Sequence, residues 1–367
     1  MTWRVSDVKR VMDEWAPPAW AAPWDRVGLQ AGRPDLGVAG VAVCLSVTPG
    51  VVAAARTAGA NMIVAHHPLI WDPIRALRTD DPQVRMCLDI AADGMACLTA
   101  HTNLDVAPGG VNDALARALG LEKTGQLFPA DEARQVKLVV FVPESHLAQV
   151  RDAVCAAGAG GVGVYTHCSF SAPGVGTFLP GAGAQPFCGE VGKVNEEPER
   201  RFETLVPKPC LGAVLKAMFQ AHPYEEVAYD VISLENADPA VGLGRVGELP
   251  EAMDGRAFAA HVRGCLPNAP VRAVLPGTGR RVRRVAVLGG SGGDQIARLP
   301  LDVDAYVTGD VKYHDALAAR LRNVLVVDAG HHGTEVPVLP EIARRLGAAL
   351  EGLPVAVIGE SDPFGAE

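Results

Sequence analysis

Short apolar runs of strand length alternate with amphipathic stretches over the first third of the chain. VAGVAVCLSV (38–47), NMIVA (61–65) and MACLTA (95–100) predict strands. PGVVAAARTAG (49–59), DPQVRMCLDIAADG (81–94) and VNDALARALGL (111–121) predict helices. Strand and helix in strict alternation imply a parallel sheet covered on both faces. The rhythm returns near the C-terminus, with strands over RRVAVLGG (283–290), DAYVTGD (304–310) and NVLVVDAG (323–330) and helices over DQIARLPL (294–301) and YHDALAARLR (313–322). Pro337 and Pro340 are tolerable only near the start of a final helix, where backbone N–H groups lack intrahelical partners. Glu335 is therefore expected at or just before that helix's first turn.

The middle of the chain breaks this rhythm. QVKLVVFVP predicts a strand, ESHLAQVRDAVCAAG a helix, GVGVYTHCSF and GVGTFLP short strands, and the stretch from Glu203 to Leu234 strand, helix, strand. Two βαβ-like halves around a variable centre are similar to a ferredoxin-like sandwich. The expected fold class is thus α/β: a discontinuous, two-lobed main domain over 1–129 and 236–367 with mainly parallel sheets and flanking helices, and an inserted ferredoxin-like α+β domain over 130–235.

A length of 367 residues fits this two-domain reading, since single cores seldom grow so large. The N-terminal stretch lacks an uninterrupted apolar core, and no segment reaches the roughly 18 apolar residues of a membrane span, so a cytoplasmic protein is expected. A formal net charge of −9 argues against a nucleic-acid partner, because backbone binding relies on Lys and Arg releasing counterions. The Arg200–Arg201, Arg280–Arg281 and Arg283–Arg284 pairs read as solvated surface. The 8 cysteines show no C-x-x-C spacing and read as buried, reduced thiols.

Candidate chemistry gathers at three predicted strand ends. His66 and His67 follow NMIVA, His101 and Asp105 follow MACLTA, and His331, His332 and Glu335 follow the last strand. In a parallel sheet all strand C-termini lie on one edge, so three distant segments deliver imidazoles and carboxylates to one place. By itself Asp105 reads as a turn or N-cap residue, but it stands four residues past His101. Glu335 stands four past His331, on one helical face. Imidazoles and carboxylates without thiolates suit zinc, iron or manganese rather than calcium or an iron–sulfur cluster.

Other polar clusters leave alternatives open. GGSGGD (289–294) lacks the third glycine of a dinucleotide fingerprint, and either lets backbone N–H groups approach an anion or forms a tight turn. TGD (308–310) with His314 either lines the same pocket or packs against the sheet. HPYEE (222–226) reads as a helix-to-strand turn, and THCSF (166–170) as strand packing.

HHPLI, HTNLD, TGDVKYHDAL and GHHGTE, in this order, resemble the Nif-three-like family, also labelled GTP cyclohydrolase 1 type 2 homologues. GVYTHCSF, GVGTFLPG and AHPYEEVAYD resemble the extra domain of its longer bacterial members. The resemblance covers nearly the whole chain. It implies a dinuclear centre of two divalent metal ions per chain, within a ring-shaped homohexamer. Carried over by motif, the ligands are His66, His67, Asp105, His331 and Glu335, with His101 and His314 as supporting or proton-transfer candidates. Arg26 stands where many members have Asn, Ser46 where many have Asp, and His332 where Tyr is common.

The function this implies is metal-dependent hydrolysis of a nucleotide or purine-like small molecule, with hydrolytic ring opening as the reaction of the family label. The alternative is a non-catalytic metal- or ligand-responsive regulator.

Overall fold

The computed structural model describes residues 3–130, 134–236, 240–266, 269–275 and 281–364. The chain divides into two compact units, Met1–Ala130 with Pro239–Glu367, and Asp131–Asp238.

The first part of the chain supplies α1 (Val5–Trp15), β1 (Gly28–Ala31), β2 (Val41–Cys44), α2 (Pro49–Thr57), β3 (Met62–Ala65), α3 (Pro82–Ala92), β4 (Ala96–Thr99), α4 (Thr102–Val106), α5 (Val111–Ala118) and β5 (Glu122–Pro129). The second unit contains β6 (Gln135–Pro143), α6 (Leu147–Ala156), β7 (Ser169–Phe178), β8 (Asn195–Pro207), α7 (Leu211–Ala221) and β9 (Tyr229–Ser233). The last part adds β10 (Gly242–Asp254), α8 (Gly255–Cys265), β11 (Arg272–Val274), β12 (Arg281–Ser291), β13 (Ala305–Gly309), α9 (Tyr313–Leu321), β14 (Leu325–Asp328), α10 (His331–Glu335), α11 (Leu339–Ala349) and β15 (Val355–Val357).

The first unit holds two sheets. One has the order β1-β4-β3-β2-β15, parallel except for the antiparallel edge strand β1. Its strands are apolar on both sides because both faces are covered. Val41, Val43, Met62 and Val64 pack against Val8 and Met12 of α1 and Ile342 and Leu346 of α11. The alternate residues Ala42, Cys44 and Ile63 pack against Val52 of α2 and Ile90 of α3.

The second sheet, β11-β14-β13-β12-β10-β5, is more mixed than expected. Only β12, β13 and β14 run parallel, and β11, β10 and β5 pair antiparallel around them. The antiparallel flank comes from β5 and β10, on either side of the second unit in sequence. Val285, Val307 and Val327 face Phe258 and Val262 of α8, while Ala286, Tyr306 and Val326 face Ala319 of α9. The expected short helix at 294–301 is a 3₁₀ turn, Gly293–Arg298.

The second unit is a four-stranded antiparallel sheet of order β7-β8-β6-β9. Val140, Val142 and Phe202 on one face bury Val150 and Val154 of α6 and Val214 and Met218 of α7. The THCSF segment departs from the strand expected there: β7 begins at Ser169, and His167 is exposed in a left-handed conformation (φ 59°). His222 behaves as a turn residue: its backbone N–H caps α7 on the Met218 carbonyl, and its Nε2 lies 3.0 Å from the Phe141 carbonyl oxygen of β6.

All 8 cysteines are free, as expected, but only Cys44 and Cys97 are buried; the other six are half-buried. The arginines are tied up at the surface, Arg200 with Glu144, Arg201 and Arg283 with Glu203 and Glu248, Arg284 with Asp302 and Arg281 with the Ala252 carbonyl, while Arg280 lies outside the described residues. Among the described residues no helix is long and apolar enough to cross a membrane.

Candidate metal centre

The residues that follow β3 and β4 in one sheet meet those that follow β14 in the other. His66 and His67 leave β3 directly, their backbone N–H groups still donating to the carbonyls of Cys44 and Leu45 along β2. His101 precedes α4 and Asp105 lies in its first turn. His331 opens α10 and Glu335 ends it, before a separate 3₁₀ turn that leads into α11. Pro337 and Pro340 each fall in the first turn of their helix, as their missing N–H requires.

Glu335 is the hub. Its Oε2 lies 2.9 Å from His67 Nε2 and 3.2 Å from His331 Nε2, and its Oε1 lies 3.7 Å from His66 Nε2. Asp105 Oδ1 lies 3.6 Å from the same His66 nitrogen. The potential donor atoms of His66, His67 and His101 lie within 4.8 Å of one another, as do those of His67, His331 and Glu335. His67 belongs to both groups.

Each imidazole is held by its other nitrogen, which fixes the ring and leaves Nε2 facing the cluster. His66 Nδ1 is 2.9 Å from the Ala100 carbonyl oxygen, and His67 Nδ1 is 2.9 Å from Ser46 Oγ. His331 Nδ1 is 2.8 Å from Asp310 Oδ2, and His101 Nδ1 is 2.8 Å from Asp25 Oδ1. Asp25 Oδ2 in turn accepts from the Thr102 backbone N–H at 3.0 Å and its hydroxyl at 2.5 Å.

The backbone makes room for the carboxylate. Gly290, at the end of β12, has φ 69°, and a Cβ on it would overlap Glu335 Oε1. Gly289 N–H donates to Asn112 Oδ1 and Gly290 N–H to Thr334 Oγ1, both at 2.9 Å. Of the two readings of GGSGGD, these first two glycines serve the interior; their N–H groups are already engaged.

Burial sets the electrostatics. It works against the Glu335 charge, yet His66, His331 and His67 hold that carboxyl well below its usual range. Burial would also lower the His66 pKa, but Glu335 and then Asp105 hold it up at about 9. The Glu335 hydrogen bond, against burial and with help from Asp310, raises His331 to about 10. Burial lifts Asp105 to about 6, with the Glu335 charge adding and His66 opposing. His67 is lowered by burial, which outweighs Glu335. Asp25 falls to about 2 because its bonds to His101 and Thr102 outweigh its own burial.

The donor set fits a divalent cation. His66 Nε2 and Asp105 Oδ1 are buried without a hydrogen-bond partner, which is costly for polar groups removed from water. Neutral imidazoles with two carboxylates supply two negative charges and N/O donors, a combination suited to zinc, iron or manganese.

The structure brings His66, His67, His101, Asp105, His331 and Glu335 together. It does not bring His314 to them. That side chain is exposed on α9 and its ring neighbour is Tyr313; Asp310, at the strand end before it, reaches the cluster through His331 instead. Arg26 is exposed and donates to the Trp24 and Asp25 carbonyls. Ser46 supports His67, and its N–H donates to Glu360 Oε1 at 2.6 Å. His332 Nε2 and Glu360 Oε2 are buried without a hydrogen-bond partner. Sequence reasoning did not reach Asp25, which follows no apolar run of strand length, nor Glu360, which does follow one, PVAVIG at the end of β15.

The sequence model of the Duf34/NIF3 (NGG1p interacting factor 3) family matches residues 3–363. A Bacillus subtilis protein named GTP cyclohydrolase 1 type 2 homolog is 41% identical over 328 residues, covering 89% of this chain and 88% of its own. A Mycobacterium tuberculosis protein of the same name is 39% identical over 362 residues, covering 97% and 95%. The crystal structure of a Bacillus cereus protein related to NIF3 superposes with a TM-score of 0.73 at 39% identity, covering 99% of both chains. With its length matched and its α/β architecture shared, the chain belongs to the Duf34/NIF3 family.

Proposed function

We propose that this protein is a metal-dependent hydrolase holding two divalent ions, zinc, iron or manganese, on His66, His67, Asp105, His331 and Glu335, and acting on a nucleotide or purine-like substrate. The observation that carries the reading is the pair of unpartnered buried donors, His66 Nε2 and Asp105 Oδ1, beside a carboxylate shared by three imidazoles. Ions bound there supply Lewis acidity and water acidified toward neutral pH. Glu335, facing three imidazoles, would be held in common by two ions, and Asp105, facing His66, would complete the carboxylate pair.

The chain's own residues then have separable tasks. Asp310 and Ser46 orient His331 and His67. Asp25 holds His101 with Nδ1 occupied, so that Nε2 is the position where a proton is taken or returned. The substrate class rests on the name shared by the relatives. The homohexameric ring and the cytoplasmic location belong to the same proposal, as does reading the βαββαβ second unit as an inserted ferredoxin-like domain.

A second reading, a non-catalytic metal-responsive regulator, is favoured by the second unit having its own core and contributing none of the centre's residues. One experiment separates the two. Metal content per chain is measured on tag-free protein, with GTP hydrolysis followed before and after stripping. About two ions per chain, with turnover lost on stripping and restored by one metal, supports the hydrolase; metal without turnover on any nucleotide supports the regulator. No metal under any reconstitution overturns both.

A further inference from the structure

A cavity of about 660 Å³ lies wholly within the second unit, and none of its lining residues belongs to the metal centre. That volume falls within the ~300–1,000 Å³ typical of small-molecule sites. Its floor is the sheet face that carries no helix. Phe141, Arg201 and Ala172 stand opposite one another across β6, β8 and β7, and alternate with the Val140, Val142 and Phe202 that face α6 and α7.

The floor is hollowed by missing side chains. Gly174 pairs with Glu199 across the strands, and a Cβ on Gly174 would meet no atom within 4 Å. A Cβ on Gly176 would overlap the Glu199 carboxylate, which occupies the space above that glycine. Phe187 and Tyr224 form a wall, ring centroids 6.1 Å apart. Both are among the cavity's lining residues, as is Phe178.

The polar groups are predominantly acidic. Glu199, Glu225 and Glu226 line the cavity against one cation, Arg201. That guanidinium is already committed, its Nε 2.7 Å from Glu203 Oε1 and its plane over the Phe141 ring at 5.7 Å. Burial, followed by bonds to Cys188 and Glu199, keeps the Tyr224 phenol protonated well above neutral pH. Cys188 Sγ lies 3.7 Å from its oxygen. An aromatic, net-negative trough disfavours a nucleotide phosphate and favours an apolar cation, which gains from both carboxylates and ring faces.

We propose that this cavity is a second ligand site, binding a small aromatic molecule that carries a protonated amine, with its ring against Phe187 and Tyr224 and its cationic nitrogen toward Glu199. The site stands independently of what the metal centre does. It is tested on the full-length, metal-loaded protein by fluorescence anisotropy with proflavine, a planar aromatic cation, and anthracene sulfonate, an anion of similar size. Proflavine is expected to bind saturably at one per chain. Glu199→Gln and Gly174→Leu should each weaken it by about tenfold or more, with metal content unchanged. Absence of saturable proflavine binding overturns the proposal, as does equal binding of the sulfonate or indifference to both substitutions. A shift in oligomeric state with Gly174→Leu, together with no proflavine binding to the unmodified protein, also overturns it, because the trough is then covered by a second copy.

Discussion

His66 Nε2 and Asp105 Oδ1 face each other across 3.6 Å, buried, with no hydrogen-bond partner for either. His66 leaves β3 directly and Asp105 sits in α4, the helix that follows the adjacent parallel strand β4. If the cluster is the proposed two-ion hydrolytic centre, Asp105→Ala should lower bound metal from about two ions per chain to one or none, with turnover lost, measured by elemental analysis and hydrolysis assay. A variant with full metal and full turnover removes Asp105 from the centre.

Glu335 is nearly inaccessible (3% exposed) and touches three imidazoles. Replacing it by Gln removes the charge but keeps the shape, leaving His66 and His331 without their main counter-charge. The stripped Glu335→Gln protein should lose about 3 kcal/mol of stability, the usual cost of breaking a buried pair. Denaturant unfolding of metal-free protein measures this; an unchanged midpoint means that the imidazoles are neutral without Glu335.

Gly290→Ala changes no donor, yet should damage the centre. The new Cβ would overlap Glu335 Oε1 at a backbone φ of 69°, which already disfavours any side chain. Metal affinity by chelator competition is expected to fall at least tenfold with only a modest loss of melting temperature. Unaltered affinity would show that Glu335 shifts freely.

Asp25→Asn tests the support of His101. The variant keeps a hydrogen-bonding side chain beside Nδ1 but loses the carboxylate that fixes the ring's tautomer. Losses of roughly tenfold to a hundredfold in activity or metal affinity are usual for such supports. Wild-type values for both would assign Asp25 to fastening the Thr102 turn alone.

The pH response has a definite sign. In metal-free protein His66 and His331 are raised from 6.5 to about 9 and about 10. Folding is thus favoured by their protonation, fully so below about pH 6.5, and this contribution is lost as pH climbs through 9 to 10. Metal requires the neutral rings, so its affinity rises over the same window. The gap in melting temperature between loaded and stripped protein should widen from pH 6.5 to 9. A constant gap contradicts protonated imidazoles in the empty site.

Much of this was legible because it obeys a local rule. An apolar run of strand length followed at once by His, Asp or Glu marks β3, β4 and β14, whose C-termini carry the cluster. Asp25 lacks that signature, since it follows a proline-rich turn, and only the tertiary fold brings it to His101. Glu360 has it, three residues past β15, but no histidine marks the place, and the parallel pairing of β15 with β2 brings it to Ser46. The antiparallel flank of the second sheet was missed for a similar reason, since β5 and β10 pair across the whole intervening unit. His314 misled because it shares a motif with Asp310 while its helix turns it outward.

Between His67 and Glu335 the chain runs 268 residues. A nascent chain emerging from the ribosome therefore exposes its first histidines and Asp105 long before their counterparts exist. The cluster cannot close until Glu335 has been made, so a chain interrupted before that residue leaves His66 and His67 without the carboxylate they face.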